Sequence, residues 1–354
     1  MTLAARYRRR RPALVLPGLG ALLLGVVVLS LGVGAMPIDP GQVVAIVAAK
    51  LGVALPVDFE PTQASVLWFI RLPRVLLGVV VGASLSVAGA AMQGLFRNPL
   101  ADPGLVGVSS GGALGAATII VLSPAALIGL EAPWATLTLP VAAFVGGLGC
   151  TWIVYRLSTR DGQTSVATML LAGIAVNALC GAVIGTLTYV SDEAALRSLT
   201  MWSLGSLGGA TWTVVAIGAP PMVLACAALM RQARPLNALL LGEDEANHLG
   251  VDVRRVKRAV IVLVALCVGA GVGFTGMIGF VGLVVPHITR LLIGPDHRGV
   301  LPGSALLGAS LLLAADLISR TVAAPAELPI GVITALVGAP FFLGLMMRRR
   351  GRSW

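Results

Sequence analysis

The sequence predicts an all-α, polytopic membrane protein, and three observations carry that reading. Hydrophobic residues make up 57% of the 354 positions and charged residues only 11%, whereas a soluble domain carries about 25% charged residues. The mean hydropathy is +0.95. The apolar residues are gathered into about ten runs, most of them near the roughly 20 residues that a bilayer crossing requires. A chain this apolar lacks the polar surface to cover a globule, so its outer face meets lipid.

The first run, 13–35, follows Arg6, Arg8, Arg9, Arg10 and Arg11. It is longer than the apolar core of a cleaved signal peptide, about 7–15 residues, and reads as an uncleaved first span. The remaining runs are 67–95, 105–122, 135–156, 165–190, 212–231, 257–276, 280–294, 301–322 and 329–347. The eighth, 280–294, is short and contains Pro286, which also suits a re-entrant segment. The largest stretches between runs are 36–66 and 232–256, so a single transmembrane domain over 1–354 is expected, without a long soluble domain.

The formal net charge of +10 and the 5% aromatic content raise nucleic-acid binding, but the basic residues sit beside spans, where they act as topology signals. With the N-terminus cytoplasmic, the inside segments hold 20 of the 25 basic residues, and the outside keeps Lys50, Arg71, Arg74, Arg197 and Arg320. That asymmetry predicts an even number of spans with both termini inside.

Small residues recur every fourth position at Gly78, Gly82, Ser86, Ala90 and Gly94, and again at Gly331, Ala335 and Ala339. In lipid this spacing lets helix backbones approach closely. Asp102-Pro103-Gly104 before a Gly/Ala/Ser-rich helix is weakly echoed by Asp296-His297-Arg298-Gly299 before another. Cys150, Cys180, Cys226 and Cys267 lie in or beside apolar runs without paired spacing, and read as small packing residues.

Chemistry within the spans is sparse. Asn177, Thr168, Thr186, Thr188, Ser84, Ser86 and Asp316 are the deep polar candidates, and such groups are costly in lipid unless partnered or facing water. Asp316 precedes Arg320 by four residues, which suits an ion pair on one helix face. A proton relay would carry several carboxylates, so a self-sufficient secondary transporter is the weaker alternative. Neither Lys50 nor Lys257 follows a glycine-rich phosphate loop, so energy for uphill transport has to come from another subunit. His248, His287 and His297 lack metal-ligand spacing, and no metal, catalytic residue or cofactor is expected.

Two surfaces remain. The segment 236–253, LNALLLGEDEANHLGVDV, is acidic although it falls on the cytoplasmic side, and suits two short helices joined by a turn that present side chains to a partner protein. Arg71, Arg74 and Arg320 stand at outer span ends, positioned either to snorkel to lipid headgroups or to receive carboxylates of a docking protein.

The stretches RLPRVLLGVVVGASLSVAGAAMQGLFRNPLADPGLVGVSSGGALGA (71–116), LLLGEDEANHLGVDV (239–253), GFTGMIGFVGLVVPHITRLLIGPDHRGVLPGSALLGASLLLAAD (273–316) and AELPIGVITALVGAPFFLGLM (326–346) resemble the permeases of ABC importers for iron–siderophores, haem and cobalamin, the FecCD/BtuC type. The resemblance implies ten helices per subunit in a type II ABC importer fold, a homodimer in the bacterial inner membrane with the pore along its interface, two copies of a cytoplasmic ATP-binding subunit, and a periplasmic substrate-binding protein. It implies that Arg71, Arg74 and Arg320 accept acidic residues of the binding protein. It further implies that Leu241, Gly242, Glu243, Leu249 and Gly250 enter the ATPase, and that Asn98 and Leu100 form the cytoplasmic gate. The stretch GLFRNPLADPGLVGVSSG is most like the haem branch, so haem is the expected cargo, with a ferric siderophore or cobalamin as alternatives. Gly112 stands where many relatives carry alanine.

Overall fold

The computed structural model describes residues 3–122, 134–160 and 163–350, with side chains from Pro12 onward except at 134–136, 345–346 and 348–350. Most arginines of the N-terminal and C-terminal clusters therefore have no described side chain, and Arg352 lies outside the described residues. The chain runs through α1 (Leu3–Gly32), α2 (Pro40–Lys50) and α3 (Pro61–Val66). A π turn at Leu67–Arg71 leads into α4 (Leu72–Leu95), and a 3-10 turn at Pro103–Val106 into α5 (Val108–Leu122). Then follow α6 (Trp134–Ser158), α7 (Val166–Val190), α8 (Glu193–Leu204), α9 (Trp212–Arg231), α10 (Ala233–Leu239), α11 (Glu243–His248), α12 (Val253–Thr275), α13 (Val281–Ile293), α14 (His297–Val322) and α15 (Ile330–Arg350).

Among the described residues, seven helices are long and apolar enough to cross a membrane, and three shorter apolar helices, Val108–Leu122, Val281–Ile293 and Ile330–Gly344, complete the set of ten runs. At 1.5 Å per residue α13 is about 20 Å long, less than the roughly 30 Å hydrocarbon core. The eighth run, short and containing Pro286 in sequence, is thus a helix too short to cross that thickness alone.

Helix α4 is the axis of the bundle. From Val81 to Leu95 it is buried except at Ala83, and it packs on α9, α12, α13 and α14. The small-residue stripe explains the closeness. A Cβ on Gly82 would lie 2.5 Å from the Gly308 carbonyl oxygen, one on Gly78 would meet Leu313 at 2.8 Å, and one on Gly94 would strike the His297 ring. One face of α4 therefore lies backbone-to-backbone on α14, as the four-residue spacing predicts. Gly89, off that stripe, makes the same kind of approach to Gly282 of α13. The second stripe is only partly inward. Gly331 packs on the Leu204 carbonyl, but the buried face continues through Thr334 and Gly338 against Phe280, and Ala335 and Ala339 stay half-exposed.

Both Asp-Pro-Gly-like echoes prove to be helix caps. Asp102 accepts from the Gly104 N–H at 2.7 Å and Asp296 from the Arg298 N–H at 2.9 Å, satisfying donors that a helix start leaves open. The four thiols are buried and unlinked. They gather in two pairs across helices, Cys150 with Cys180 at 3.5 Å and Cys226 with Cys267 at 3.8 Å.

Three features lie outside the expected pattern. Helix α2 occupies the 36–66 stretch, α8 follows the 165–190 run, and a two-residue antiparallel ribbon pairs Thr159 with Thr164 and Arg160 with Gln163.

Candidate functional site

The antiparallel pair α4 and α14 defines two ends. At one, Arg74 meets Asp316, Arg320 and Glu327. At the other, Gly94 meets His297. The twenty residues from Arg74 to Gly94 rise about 30 Å, the thickness of a hydrocarbon core, so the two clusters occupy opposite membrane faces.

The three arginines expected to stand apart form one cluster. Arg74 is 7% exposed and Arg71 4%. Arg74 Nη2 lies 2.8 Å from Asp316 Oδ1, and its Nη1 and Nη2 donate to both oxygens of Glu327 at 2.8 and 2.9 Å. This fork geometry is the strong form of arginine–carboxylate pairing. Asp316 is fully buried, so Arg74 is its principal counter-ion. The anticipated Asp316–Arg320 pair exists, but at 3.6 Å it is the looser contact. Arg320 also donates to the carbonyl and hydroxyl of Ser30. Arg71 donates to the carbonyls of Leu31, Gly32 and Met36, which pins the end of α1 to the bundle. Glu327, in the α14–α15 connection, has a side chain 43% exposed. Its bonds to Arg74 hold its carboxyl below the ordinary carboxylate range. Lone arginines in the sequence carried no sign of this closure, because Glu327 is 253 residues away along the chain.

At the opposite end, 236–253 folds as anticipated into two short helices, α10 and α11, joined by a turn at Gly242 with φ +133°. That backbone region favours glycine, and α11 ends at Gly250 with φ +80°. Leu241 and Leu249 are 66% and 64% exposed. Of the other residues assigned to this contact, Gly250 is exposed, whereas Gly242 is buried. Glu243 is turned inward, 2.6 Å from Lys257 Nζ of α12. Lys257 also donates to the Thr164 carbonyl at 2.8 Å, which ties the ribbon to α11. The exposed surface of this segment is therefore the two leucines with the acids Asp244 and Glu245 beside them.

Asn98 and Leu100 lie in the turn after α4. Asn98 Oδ1 accepts from the Leu100 N–H at 2.9 Å, and Arg97 holds φ +50°. Both residues are exposed. Deeper polar groups are mostly spent on backbone. Thr186 and Thr188 donate to carbonyls one turn back, and Asn177 donates to the Gly104 carbonyl at 3.2 Å. Among the described residues no group of three or more His, Cys, Asp or Glu side chains converges as a metal site would require.

Among the described residues ten apolar helices, one of them the buried axis α4, with a charged cluster at one end and an exposed leucine–acid segment at the other, fit a membrane-spanning permease of an ABC importer. The chain belongs to the FecCD transport family, whose sequence profile matches residues 22–348. It is 47% identical over 336 residues to the hemin transport system permease protein HmuU of Yersinia pestis, covering 94% of this chain and 96% of that protein. To the cobalamin import system permease protein BtuC of Halobacterium salinarum it is 45% identical over 308 residues, covering 86% and 80%. To the vitamin B12 import system permease protein BtuC of Klebsiella pneumoniae it is 39% identical over 353 residues, covering 100% and 99%. Its fold matches a solved structure described as a metal-chelate type ABC transporter in an inward-facing conformation, with a TM-score of 0.81, 32% identity and coverage of 94% of this chain and 99% of that one.

Proposed function

We propose that the chain is the permease of a haem importer and works as a homodimer in the bacterial inner membrane, with haem passing along the dimer interface. The observation that carries the haem assignment is the 47% identity over nearly the full length of the hemin permease. The 45% identity to a cobalamin permease makes cobalamin the second reading, and a ferric siderophore remains the third cargo to compare. In this proposal one transmembrane domain spans 1–354. Two copies of a separate ATP-binding subunit receive Leu241 and Leu249 of each permease, with Gly242, Glu243 and Gly250 shaping that segment. A substrate-binding protein docks on the face of Arg71, Arg74 and Arg320. Asn98 and Leu100 form the inner gate.

Charge supports the orientation: with the face carrying α10 and α11 and both termini cytoplasmic, 20 of the 25 basic residues fall inside. Docking has a physical form. Arg74 is already closed on Glu327, so an incoming carboxylate competes with the exposed Glu327 rather than with buried Asp316. ATP then biases the two gate states through differential affinity of the assembled complex for each of them.

The deciding experiment is ATP-dependent uptake into proteoliposomes that hold the permease with its ATP-binding subunit. Haem, a ferric siderophore and cobalamin are compared, each on its binding protein. Uptake of haem alone is expected. Cobalamin or siderophore uptake exceeding haem overturns the cargo assignment, and uptake that persists without the ATPase overturns the importer reading.

A further inference from the structure

Helix α10 packs on α4 and α14 and buries Leu236 and Leu239. Asn237, between those leucines, supplies the polar contact of this packing. Its Nδ2 donates to Asp296 Oδ1 at 2.6 Å. Its Oδ1 accepts from the His297 N–H at 2.9 Å and lies 2.8 Å from His297 Nδ1. Both ends of one carboxamide are thus used on two consecutive residues, the N-cap Asp296 and the first residue of α14, His297. Asp296 Oδ1 simultaneously caps α14. Desolvation works to raise the Asp296 carboxyl, but the Arg298 N–H and Asn237 outweigh it and hold it below its ordinary range.

His297 is fully buried. Its Nε2 has no hydrogen-bond partner among the described residues and rests against Gly94, where no side chain would fit. With Asn237 Oδ1 as an acceptor, Nδ1 carries the ring proton. The joint therefore touches three elements at once: α10 through Asn237, the start of α14 through Asp296 and His297, and the end of α4 through Gly94. Four residues beyond Gly94 is Asn98. The 26 residues of α14 extend about 39 Å and carry Asp316 and Arg320 at the far end.

Among the described residues the segment's other polar anchors, the half-exposed Glu243 on Lys257 and Asp252 on the Arg255 N–H, lead to α12. The Asn237 joint leads instead to the two helices that reach the arginine cluster. We propose that Asn237 is a positioning residue for coupling: through Asp296 and His297 it fixes α10 to α4 and α14, so that docking at the arginine end and ATP hydrolysis at the leucine end act on one rigid unit. This rests on the reading that α10 and α11 receive the ATPase.

A double-mutant cycle supplies the evidence that such a coupling claim needs. In proteoliposomes with the full complex, ATPase activity is measured with and without haem-loaded binding protein. Asn237→Asp sets a carboxylate against Asp296 and is expected to cut the stimulated-to-basal ratio about tenfold, within the usual range of coupling between sites, while basal hydrolysis stays within about twofold of the parent, the range of a factor near 0.4 kcal/mol. The exchange Asn237→Asp with Asp296→Asn restores one carboxylate and one amide in swapped places and is expected to recover the ratio. A merely structural contact would lower basal and stimulated rates together. Asn237→Ser, which removes the bonds without adding charge, is the reserve variant if Asn237→Asp does not assemble, and the same loss of ratio is expected. A parent-like ratio in either single variant, or an assembled exchange variant that stays unstimulated, overturns the joint. A parent complex that the binding protein never stimulates overturns the functional reading instead.

Discussion

The two ends of the α4–α14 pair solve different problems. The arginine end is closed. Asp316 and Arg71 are nearly or wholly out of solvent, and every guanidinium there has an internal partner. The leucine end is open, with two large apolar side chains more than half exposed and its two ion pairs, Glu243–Lys257 and Asp252–Arg255, only partly covered. Charge buried at depth is tolerated only when it is matched at once inside the chain. Exposed apolar surface is tolerated when a partner covers it. The arginine end is thus part of what holds the subunit together, whereas the leucine end is surplus to it.

Substitutions break that contrast in order of size. Arg74→Ala strands the buried Asp316 without its main counter-ion and is expected to cost about 3–5 kcal/mol, read as a large fall in melting temperature of the detergent-solubilised protein. A variant that melts with the parent means the cluster is not structural. Leu241→Ala with Leu249→Ala is expected to leave melting unchanged yet weaken ATPase binding by about 2–4 kcal/mol, the range of interface hot spots, measured by titrating the subunit onto the immobilised permease. Loss of melting temperature without loss of binding would reverse the assignment of the two ends. Gly89→Leu forces α4 away from Gly282 and is expected to cost about 1–3 kcal/mol, as overpacking does, with the melting temperature again the measure.

The smallest effect probes the boundary between the two behaviours. Glu327 is held on Arg74, and its folded pKa lies below its ordinary value of 4.5. Its contribution is therefore present above that ordinary value and is lost as pH falls through the folded one. Because the side chain is partly exposed, less than about 1 kcal/mol is at stake. Glu327→Gln is expected to flatten the acid limb of melting temperature against pH and to tighten docking of the binding protein, since Arg74 is then freed. A steeper acid limb, or weaker docking, counts against competition at that site.

Local spacing in the sequence pointed to the apolar runs, the shortness of the eighth, the α4 stripe and two short helices with a turn in 236–253. Each depends on residues within a turn or two of one another, so spacing alone carries the signal. The same locality made Asp316–Arg320 visible as a pair four residues apart. It concealed that Arg74, 242 residues away in sequence, is the closer partner, and that Glu327 closes the fork. Helices α2 and α8 were missed because neither has a span's length.

Composition by itself determined that this chain lives in a bilayer, since lipid acts on each apolar segment separately. Tertiary structure alone decided which charges neutralise one another, which leucines stay bare, and that Asn237, Asp296 and His297 meet. Burial, counter-ions and hydrogen-bond partners are properties of pairs, and folding brings those pairs together from positions the sequence leaves far apart.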